Sequence, residues 1–217
     1  MSVRVKICGI TRTEDAEAAI AFGAEMIGLN FYPPSPRCLT IDRAREIRHV
    51  IGQRAIVVGV FVNASRRYID QRLRELDLNM IQFHGDEEEC ALLGWPVKVI
   101  RAFRLHANEF PTRGDLPPGP SPKGLGALPL TGADYILLDS FHPGLYGGTG
   151  HARPLAGLAR FDLARAIISG GLNPDNVAEA AALGPFALDV ASGVESAPGV
   201  KDPAKLRSFI ANAKLSR

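Results

Sequence analysis

Short runs of apolar residues alternate along the chain with segments of helical periodicity. The apolar runs are rich in Val, Ile, Leu and Phe and are bounded by Gly, Asp, Ser or Asn, as is typical of buried strands. This pattern predicts eight strands, over Val3–Cys8, Met26–Phe31, Ala55–Val62, Met80–Phe83, Val97–Phe103, Tyr135–Asp139, Ala166–Ser169 and Phe186–Val190.

Residues that favour helix starts follow most of these strands. Thr11-Arg12-Thr13-Glu14 fits a capping box before a helix over Ala16–Phe22. Asp86-Glu87-Glu88-Glu89 predicts a short helix with carboxylates at its positive end. Asn173-Pro174 and Asp202-Pro203 each place a capping residue before a proline at the first helical position.

Eight strand–helix units in 217 residues predict an α/β fold, a (β/α)8 TIM barrel at the small end of its size range, in one domain over residues 1–217. A doubly wound open sheet is the alternative, but no GxGxxG motif follows the first strand. Residues 105–132 contain six Pro and five Gly, which predicts an irregular connection in place of most of the fifth helix. We do not interpret this segment as a domain linker, because neither half of the chain alone makes a complete sheet.

Composition and charge narrow the function classes. With 46% hydrophobic and 22% charged residues the chain is not disordered, and the net charge of +2 predicts no nucleic-acid partner. No apolar run approaches the roughly 18 residues that cross a bilayer, so we expect no membrane association. Three cysteines without a CxxC motif predict free thiols in a reducing compartment, the cytoplasm. The arginine-rich outer faces of amphipathic helices at 42–51 and 65–76 slightly favour a monomer over a homodimer.

Polar residues recur on one face of several predicted strands. Side chains alternate along a strand, and the outer face of a barrel packs against helices and should be apolar. The inward-pointing set is therefore Lys6, Cys8, Gln82, His84, Asp139 and Asp189. Taken singly, each has a structural explanation: Cys8 as a small buried residue, the aspartates as caps, His84 as a core imidazole and Lys6 as a counter-ion. Their convergence at the carboxyl ends of the strands favours a catalytic site.

Glycine-rich loops follow the last two strands. Ser169-Gly170-Gly171 follows the seventh strand and Ala191-Ser192-Gly193-Val194-Glu195 follows the eighth. Glycines let backbone N–H groups approach an anion, and these two loops form the usual phosphate site of such barrels. Simple turn formation is the alternative, but the position of the loops favours phosphate binding.

The first predicted strand leads into the motif Val5-Lys6-Ile7-Cys8-Gly9-Ile10-Thr11. This motif resembles the opening signature of the phosphoribosylanthranilate isomerase family of tryptophan biosynthesis. The resemblance spans residues 3–210, in the right order, through Ser35-Pro36-Arg37, Gln82-Phe83-His84-Gly85, Leu137-Leu138-Asp139-Ser140, Gly147-Gly148-Thr149-Gly150, Ser169-Gly170-Gly171-Leu172-Asn173-Pro174, Asp189-Val190-Ala191-Ser192-Gly193-Val194-Glu195 and Pro198-Gly199-Val200-Lys201-Asp202.

The resemblance implies a role for each matched residue. Cys8 would be the general base, Asp139 the general acid, and Arg37 the residue that holds the anthranilate carboxylate. The full set of substrate-binding candidates is Arg37, His84, Gly148, Gly170, Gly171, Asp189, Ser192 and Gly193. The substrate would be a sugar phosphate, and the rearrangement would need neither cofactor nor metal. One departure is His151-Ala152-Arg153-Pro154-Leu155, where family members commonly have Lys followed by Phe-Asp-Trp.

The implied Amadori rearrangement needs an acid and a base with opposite proton tasks. A thiol is only a few per cent ionised at pH 7, and we expect Lys6 to favour the thiolate of Cys8. An aspartic acid is a useful proton donor at neutral pH only when poorly solvated, so we expect Asp139 to be shielded at least once substrate is bound.

Two rival functions remain at this point. The aminoimidazole ribotide isomerase of histidine biosynthesis performs the same rearrangement with a pair of aspartates, and Cys8 argues against it. A non-catalytic phosphate-binding barrel would have no need of both Cys8 and Asp139.

Overall fold

Eight parallel strands close into a barrel in chain order, which confirms the predicted (β/α)8 TIM barrel. The computed structural model describes residues 3–105, 132–140, 158 and 163–215. The strands are β1 Arg4–Cys8, β2 Met26–Asn30, β3 Ile56–Phe61, β4 Met80–Phe83, β5 Lys98–Leu105, β6 Tyr135–Ser140, β7 Ala166–Ser169 and β8 Ala187–Val190.

Closure of the sheet is carried by the pairing of its first and last strands. β1 pairs in parallel with β8, and the register places Lys6 opposite Asp189. On its other edge β1 pairs with β2, where Cys8 lies opposite Gly28. An open doubly wound sheet, the alternative from the sequence, is therefore excluded.

The described part of the chain contains five α-helices outside the barrel. They are α1 Thr13–Ala21, α2 Ile41–Ile51, α3 Arg66–Leu76, α4 Val177–Ala182 and α5 Pro203–Leu215. A 3-10 helix at Glu89–Leu92 connects β4 to β5. The predicted irregular connection at 105–132 lies, apart from its two ends, outside the described residues, and so does the departure at 151–155. No helix in the described ranges is both long and apolar enough to span a bilayer.

Alternation along the strands separates two cores, as the sequence pattern predicts. The larger core lies between the strands and the helices and includes Val5, Ile7 and Ile136. A smaller apolar layer fills the barrel interior and consists of Met26, Val58, Met80, Ile100, Ala102, Leu137, Ile167 and Ala187. Lys6, Gln82, Asp139 and Asp189 share the strand faces of this inner layer and continue it towards the carboxyl ends.

Two predicted helix starts differ from the structure because the polar side chains have other partners. Helix α1 begins at Thr13 with Arg12 as its N-cap and no side-chain cap, so the predicted capping box is wrong. The Thr11 hydroxyl donates to the carbonyl of Gly199 instead, at 2.5 Å. Glu87 accepts from the backbone N–H groups of Asn63 and Gly85, and the helix predicted at 86–89 is only the 3-10 turn.

The two predicted caps that stand before a proline behave differently. Asn173 accepts from the backbone N–H groups of Asp175 and Asn176, which stabilises a turn, and α4 begins only at Val177. Asp202 caps α5 as predicted, since its Oδ1 accepts from the N–H groups of Ala204 at 2.8 Å and Lys205 at 3.1 Å.

A small hairpin between β8 and α5 is not predicted from the sequence. It pairs β9 Glu195–Ala197 with β10 Val200–Lys201 in antiparallel orientation. Gly199 has a φ of 81° in the turn, a conformation that glycine adopts without strain. The hairpin buries the side chains of Glu195 and Lys201, although each strand is very short.

We predict that Asp202→Ala lowers the free energy of unfolding by ~0.5–2 kcal/mol, the usual cost of losing an N-cap. Asp42→Ala is the matched control, since Asp42 lies in the first turn of α2 but is exposed and pairs with the exposed Arg45. Urea unfolding followed by circular dichroism measures both variants. An equal loss of stability in the two proteins would contradict the capping role of Asp202.

Candidate active site

A line of polar side chains crosses the barrel mouth from β8 to β6. The Lys6 ammonium is fully buried and donates to Oδ1 of Asp189 at 2.8 Å and to Oε1 of Gln82 at 3.0 Å. Gln82 Nε2 lies 2.8 Å from Nδ1 of His84. His84 Nε2 in turn lies 3.3 Å from Oδ2 of Asp139. These contacts thus connect five of the six residues of the predicted inward set.

The lysine sets the direction of this line of hydrogen bonds. An ammonium group only donates, so the atom of Gln82 that faces it must be the carbonyl oxygen. The amide nitrogen of Gln82 then faces His84 and donates to Nδ1, which makes Nε2 the protonated nitrogen of the neutral imidazole. His84 therefore points an N–H group at the carboxyl group of Asp139 and orients it.

Asp189 is held on its other side by the last residue of β7. The Ser169 hydroxyl donates to Oδ2 of Asp189 at 3.1 Å, while Oδ1 receives the ammonium of Lys6. Burial by itself lowers the pKa of Lys6, but the charges of Asp189 and Cys8 outweigh burial and leave the pKa raised. The buried ammonium of Lys6 therefore has in Asp189 the hydrogen-bonded partner that a buried charge needs.

Cys8 ends β1 at the mouth of the barrel, and the neighbouring strand leaves room for its thiol. A Cβ atom at Gly28 would lie 2.9 Å from Sγ and 3.1 Å from Cα of Cys8. Any larger residue at position 28 would therefore displace the sulfur from its place. Cys8 as a residue is partly exposed at the mouth although its sulfur is poorly hydrated, so a ligand there can approach it.

Burial raises the pKa of the Cys8 thiol, because the thiolate loses its hydration. The positive charges of Lys6 and Lys201 oppose this effect, and Asp189 adds to it. The expected influence of Lys6 on the thiolate is thus present but is smaller than the cost of burying the charge.

Asp139 lies near the carboxyl end of β6, three strand positions from β1 around the barrel. Its side chain is 29% exposed, so without a ligand it is only partly shielded from water. The thiol of Cys8 and the carboxyl group of Asp139 therefore face the barrel mouth from two different sides.

Arg37 is carried by the loop after β2. Asn30 Nδ2 donates to the hydroxyl of Ser35, and that hydroxyl accepts from the backbone N–H of Arg37. The arginine stem packs over Gly9, where a Cβ atom would lie 2.4 Å from Cδ of Arg37. Gly9, which follows Cys8 and has a φ of 69°, thus leaves room for the aliphatic part of the Arg37 side chain beside the end of β1.

The guanidinium of Arg37 has a protein partner that sequence reasoning missed. Its Nε and Nη2 donate to the two carboxylate oxygens of Glu195, at 2.8 and 2.6 Å. The ammonium of Lys201 donates to the same carboxylate at 2.9 Å, and also to the carbonyl oxygens of Cys8 and Ala191. Glu195 and Lys201 both occur in the motifs that resemble the isomerase family, but it is the β9–β10 hairpin that turns their side chains towards β1.

The glycine-rich loops after β7 and β8 lie against each other. Gly170 and Gly171 have φ values of 83° and 66°, and a Cβ atom at Gly193 would lie 1.9 Å from the carbonyl oxygen of Leu172. Ser192 and Gly193 form part of a 3-10 helix, Ser192–Val194. Phosphate binding by these residues stays a prediction, and Gly148, the remaining candidate, lies outside the described residues.

This arrangement can hold a small molecule that has two anionic groups, and can exchange protons with it. A thiol and a carboxyl group can act as base and acid, an arginine can bind a carboxylate, and the adjoining glycine loops offer close backbone approach to a phosphate.

A family model described as N-(5'phosphoribosyl)anthranilate (PRA) isomerase matches residues 5–116 and 125–212. The chain belongs to this family. It is 42% identical to the N-(5'-phosphoribosyl)anthranilate isomerase of Thiobacillus denitrificans, an alignment that covers 100% of both chains.

Solved structures of the family have the same fold. The phosphoribosyl anthranilate isomerase of Thermotoga maritima matches with a TM-score of 0.78 and 35% identity, over 98% of both chains. The enzyme of Thermus thermophilus matches with a TM-score of 0.77 and 37% identity, over 97% of this chain and 98% of that one. A third structure, with a TM-score of 0.72, 33% identity and 98% of both chains covered, is a complex with reduced 1-(o-carboxyphenylamino)-1-deoxyribulose 5-phosphate.

We predict that alkylation of Cys8 by iodoacetamide rises with pH through a midpoint above ~8.5, the ordinary thiol pKa. Burial raises the pKa of Cys8, so less of the reactive thiolate is present at neutral pH than in a free thiol. The measurement uses a Cys38→Ser/Cys90→Ser variant, in which Cys8 is the remaining thiol, with N-acetylcysteine as the reference. A midpoint at or below that of the reference would contradict the dominance of burial over Lys6.

Proposed function

We propose that this protein converts N-(5'-phosphoribosyl)anthranilate into 1-(2-carboxyphenylamino)-1-deoxyribulose 5-phosphate, a step of tryptophan biosynthesis. The observation that carries the proposal is a thiol and a carboxyl group at the carboxyl ends of β1 and β6, in a chain that belongs to the isomerase family. The reaction is internal to the substrate, since one carbon is oxidised while its neighbour is reduced.

Asp139 is the general acid that opens the sugar ring. It gives its proton to the furanose ring oxygen as the bond between that oxygen and C1′ breaks, and the anthranilate nitrogen supplies the electron pair for an iminium. The N–H of His84 holds Oδ2 of Asp139, which leaves Oδ1 to carry the proton.

Cys8 is the general base of the second step. Its thiolate removes the proton from C2′, and the electron pair left behind forms the C1′–C2′ double bond and neutralises the iminium. The resulting enolamine gains a proton at C1′ and loses the proton of its C2′ hydroxyl group, which gives the ketone. Because burial raises the pKa of Cys8, the thiolate is a stronger base than an ordinary thiolate once it has formed.

Binding determinants lie at two ends of the substrate. Arg37 binds the anthranilate carboxylate beside Cys8, and the loops with Gly170, Gly171, Ser192 and Gly193 bind the phosphate. Ion pairing with Glu195 raises the pKa of Arg37, so its charge is permanent at any working pH. With both ends fixed, the ribose lies between the base and the acid.

Activity is measured as loss of substrate fluorescence when the purified protein consumes the aminoaldose under reducing conditions. Turnover is the expected result. Absence of turnover with tight binding of substrate would indicate a non-catalytic barrel. Preferential turnover of the aminoaldose from histidine biosynthesis would indicate the sibling isomerase instead.

We predict that Cys8→Ala lowers kcat by about 10²–10⁴-fold, the usual contribution of a general base. Cys38→Ala is the control, because Cys38 is a second partly buried thiol whose pKa is also raised by burial, on the loop after β2. Steady-state kinetics and thermal unfolding are measured on both variants. A Cys8→Ala protein with the wild-type kcat would make Cys8 a packing residue.

We predict that Asp139→Asn lowers kcat by a similar factor with little change in the affinity for a product analogue. The amide keeps the size of the side chain but has no proton to give, and the acid acts mainly in the transition state. Asp134→Asn is the control at the opposite end of β6, where Asp134 pairs with Lys98. A normal kcat with a greatly weakened affinity would instead make Asp139 a binding residue.

A further inference from the structure

Three charged side chains form a closed cluster beside Cys8. Arg37 comes from the loop after β2, and Glu195 and Lys201 come from the hairpin β9–β10. Their side chains are 15%, 5% and 0% exposed. Glu195 accepts hydrogen bonds from both cations, so it connects the loop to the hairpin.

The cluster contains two cations but one anion. Lys201 also donates hydrogen bonds to the carbonyl oxygens of Cys8 and Ala191, but these groups carry no net charge. Burial makes an uncompensated charge costly, so a second anion at this place is favoured. The net positive charge therefore adjoins the residue proposed as the base.

Glu195 occupies only one edge of the guanidinium. Its two oxygens face Nε and Nη2, the side edge of the planar group. A guanidinium offers five N–H groups, and its end edge, with Nη1 and the second hydrogen of Nη2, can grip another carboxylate in parallel. Within the described ranges, no further hydrogen bond of this guanidinium is found.

We propose that Glu195 and Lys201 are positioning residues that fix Arg37 for recognition of the substrate carboxylate. This inference rests on the proposed function and extends it to two residues that do not touch the substrate. Glu195 holds the side edge of the guanidinium, so that the end edge faces the mouth in one orientation. Lys201 neutralises Glu195 and ties the cluster to the backbone of Cys8, so that the carboxylate and the base keep a constant spacing.

The surrounding structure gives the cluster a rigid base. The backbone N–H of Lys201 donates to Oδ2 of Asp15 in α1, and Lys205 of α5 donates to the carbonyl of Glu195. Burial raises the pKa of Glu195, but the hydrogen bonds and charges of Arg37 and Lys201 outweigh that effect and leave it lowered. Glu195 is therefore ionised at the pH of the assay.

The test is a double-mutant cycle on Arg37 and Glu195. Arg37→Met removes the guanidinium, and Glu195→Gln removes the negative charge. Glu195→Asp is the second variant, because it keeps the charge and so avoids two unpaired buried cations, but withdraws the carboxylate by one carbon. Glu46→Gln is the matched control, since Glu46 also pairs with an arginine but is exposed on α2. KM, kcat and the inhibition constant of inorganic phosphate are measured for each protein.

We expect Arg37→Met to raise KM by about tenfold to a hundredfold, the range of a charge-assisted hydrogen bond. Glu195→Asp should raise KM by about tenfold while kcat and phosphate inhibition stay within about twofold. The double variant Arg37→Met/Glu195→Asp, which keeps the charge beside Lys201, should have the KM of Arg37→Met alone, because Glu195 acts on substrate binding through the guanidinium. Glu46→Gln should match the wild type.

Four results would overturn the inference. If Glu195→Asp has the wild-type KM while Arg37→Met has a raised KM, the positioning role of Glu195 is wrong, but the proposed function still stands. Effects that multiply in the double variant show that Glu195 acts independently of Arg37. A parallel rise in the phosphate inhibition constant shows that the hairpin only supports the mouth as a whole. If Arg37→Met itself has the wild-type KM, both this inference and the assigned role of Arg37 are wrong, although turnover by the wild type still supports the isomerase.

Discussion

Pairing of β1 with β8 is the constraint on which the mouth of the barrel depends. It closes the sheet and, through its register, puts the ammonium of Lys6 2.8 Å from the carboxylate of Asp189, a residue near the opposite end of the chain. A buried ammonium is tolerated only with full hydrogen bonding. The same group therefore dictates how Gln82 is oriented, which nitrogen of His84 carries its proton, and how Asp139 is held.

Two buried lysines act on the end of β1 from different sides. Lys6 approaches Cys8 from within the barrel, while Lys201 reaches the carbonyl of Cys8 from the hairpin after β8. Both favour the thiolate, yet burial of the sulfur has the larger effect and the pKa is raised. The site thus combines a poorly hydrated thiol with nearby positive charge, and the thiolate that forms is both strongly basic and electrostatically supported.

Much of the site could be predicted because strand alternation is a local property. The apolar residues beside each polar residue show on which face of its strand it lies, which assigns six polar side chains to the barrel interior: Lys6, Cys8, Gln82, His84, Asp139 and Asp189. In a closed parallel barrel the carboxyl ends of the strands meet at one mouth. Local patterns were less reliable for polar groups with competing partners. Thr11 has the sequence of a helix cap but bonds to Gly199, and Glu87 bonds to the backbone of Asn63 and Gly85.

By itself the sequence determined the eight strands, the inward polar set, the α5 cap at Asp202 and the resemblance to the isomerase family. Three contacts could be found only from the tertiary structure. The guanidinium of Arg37 donates two hydrogen bonds to Glu195, Lys201 donates to the carbonyl of Cys8, and Gly28 leaves room for the thiol. These contacts join residues 158, 193 and 20 positions apart, respectively. Strand alternation and helix capping depend on near neighbours in the chain and can be read from the sequence. The three contacts depend instead on the register in which β1 pairs with its neighbouring strands and on the β9–β10 hairpin, whose strands are too short to give a periodic pattern.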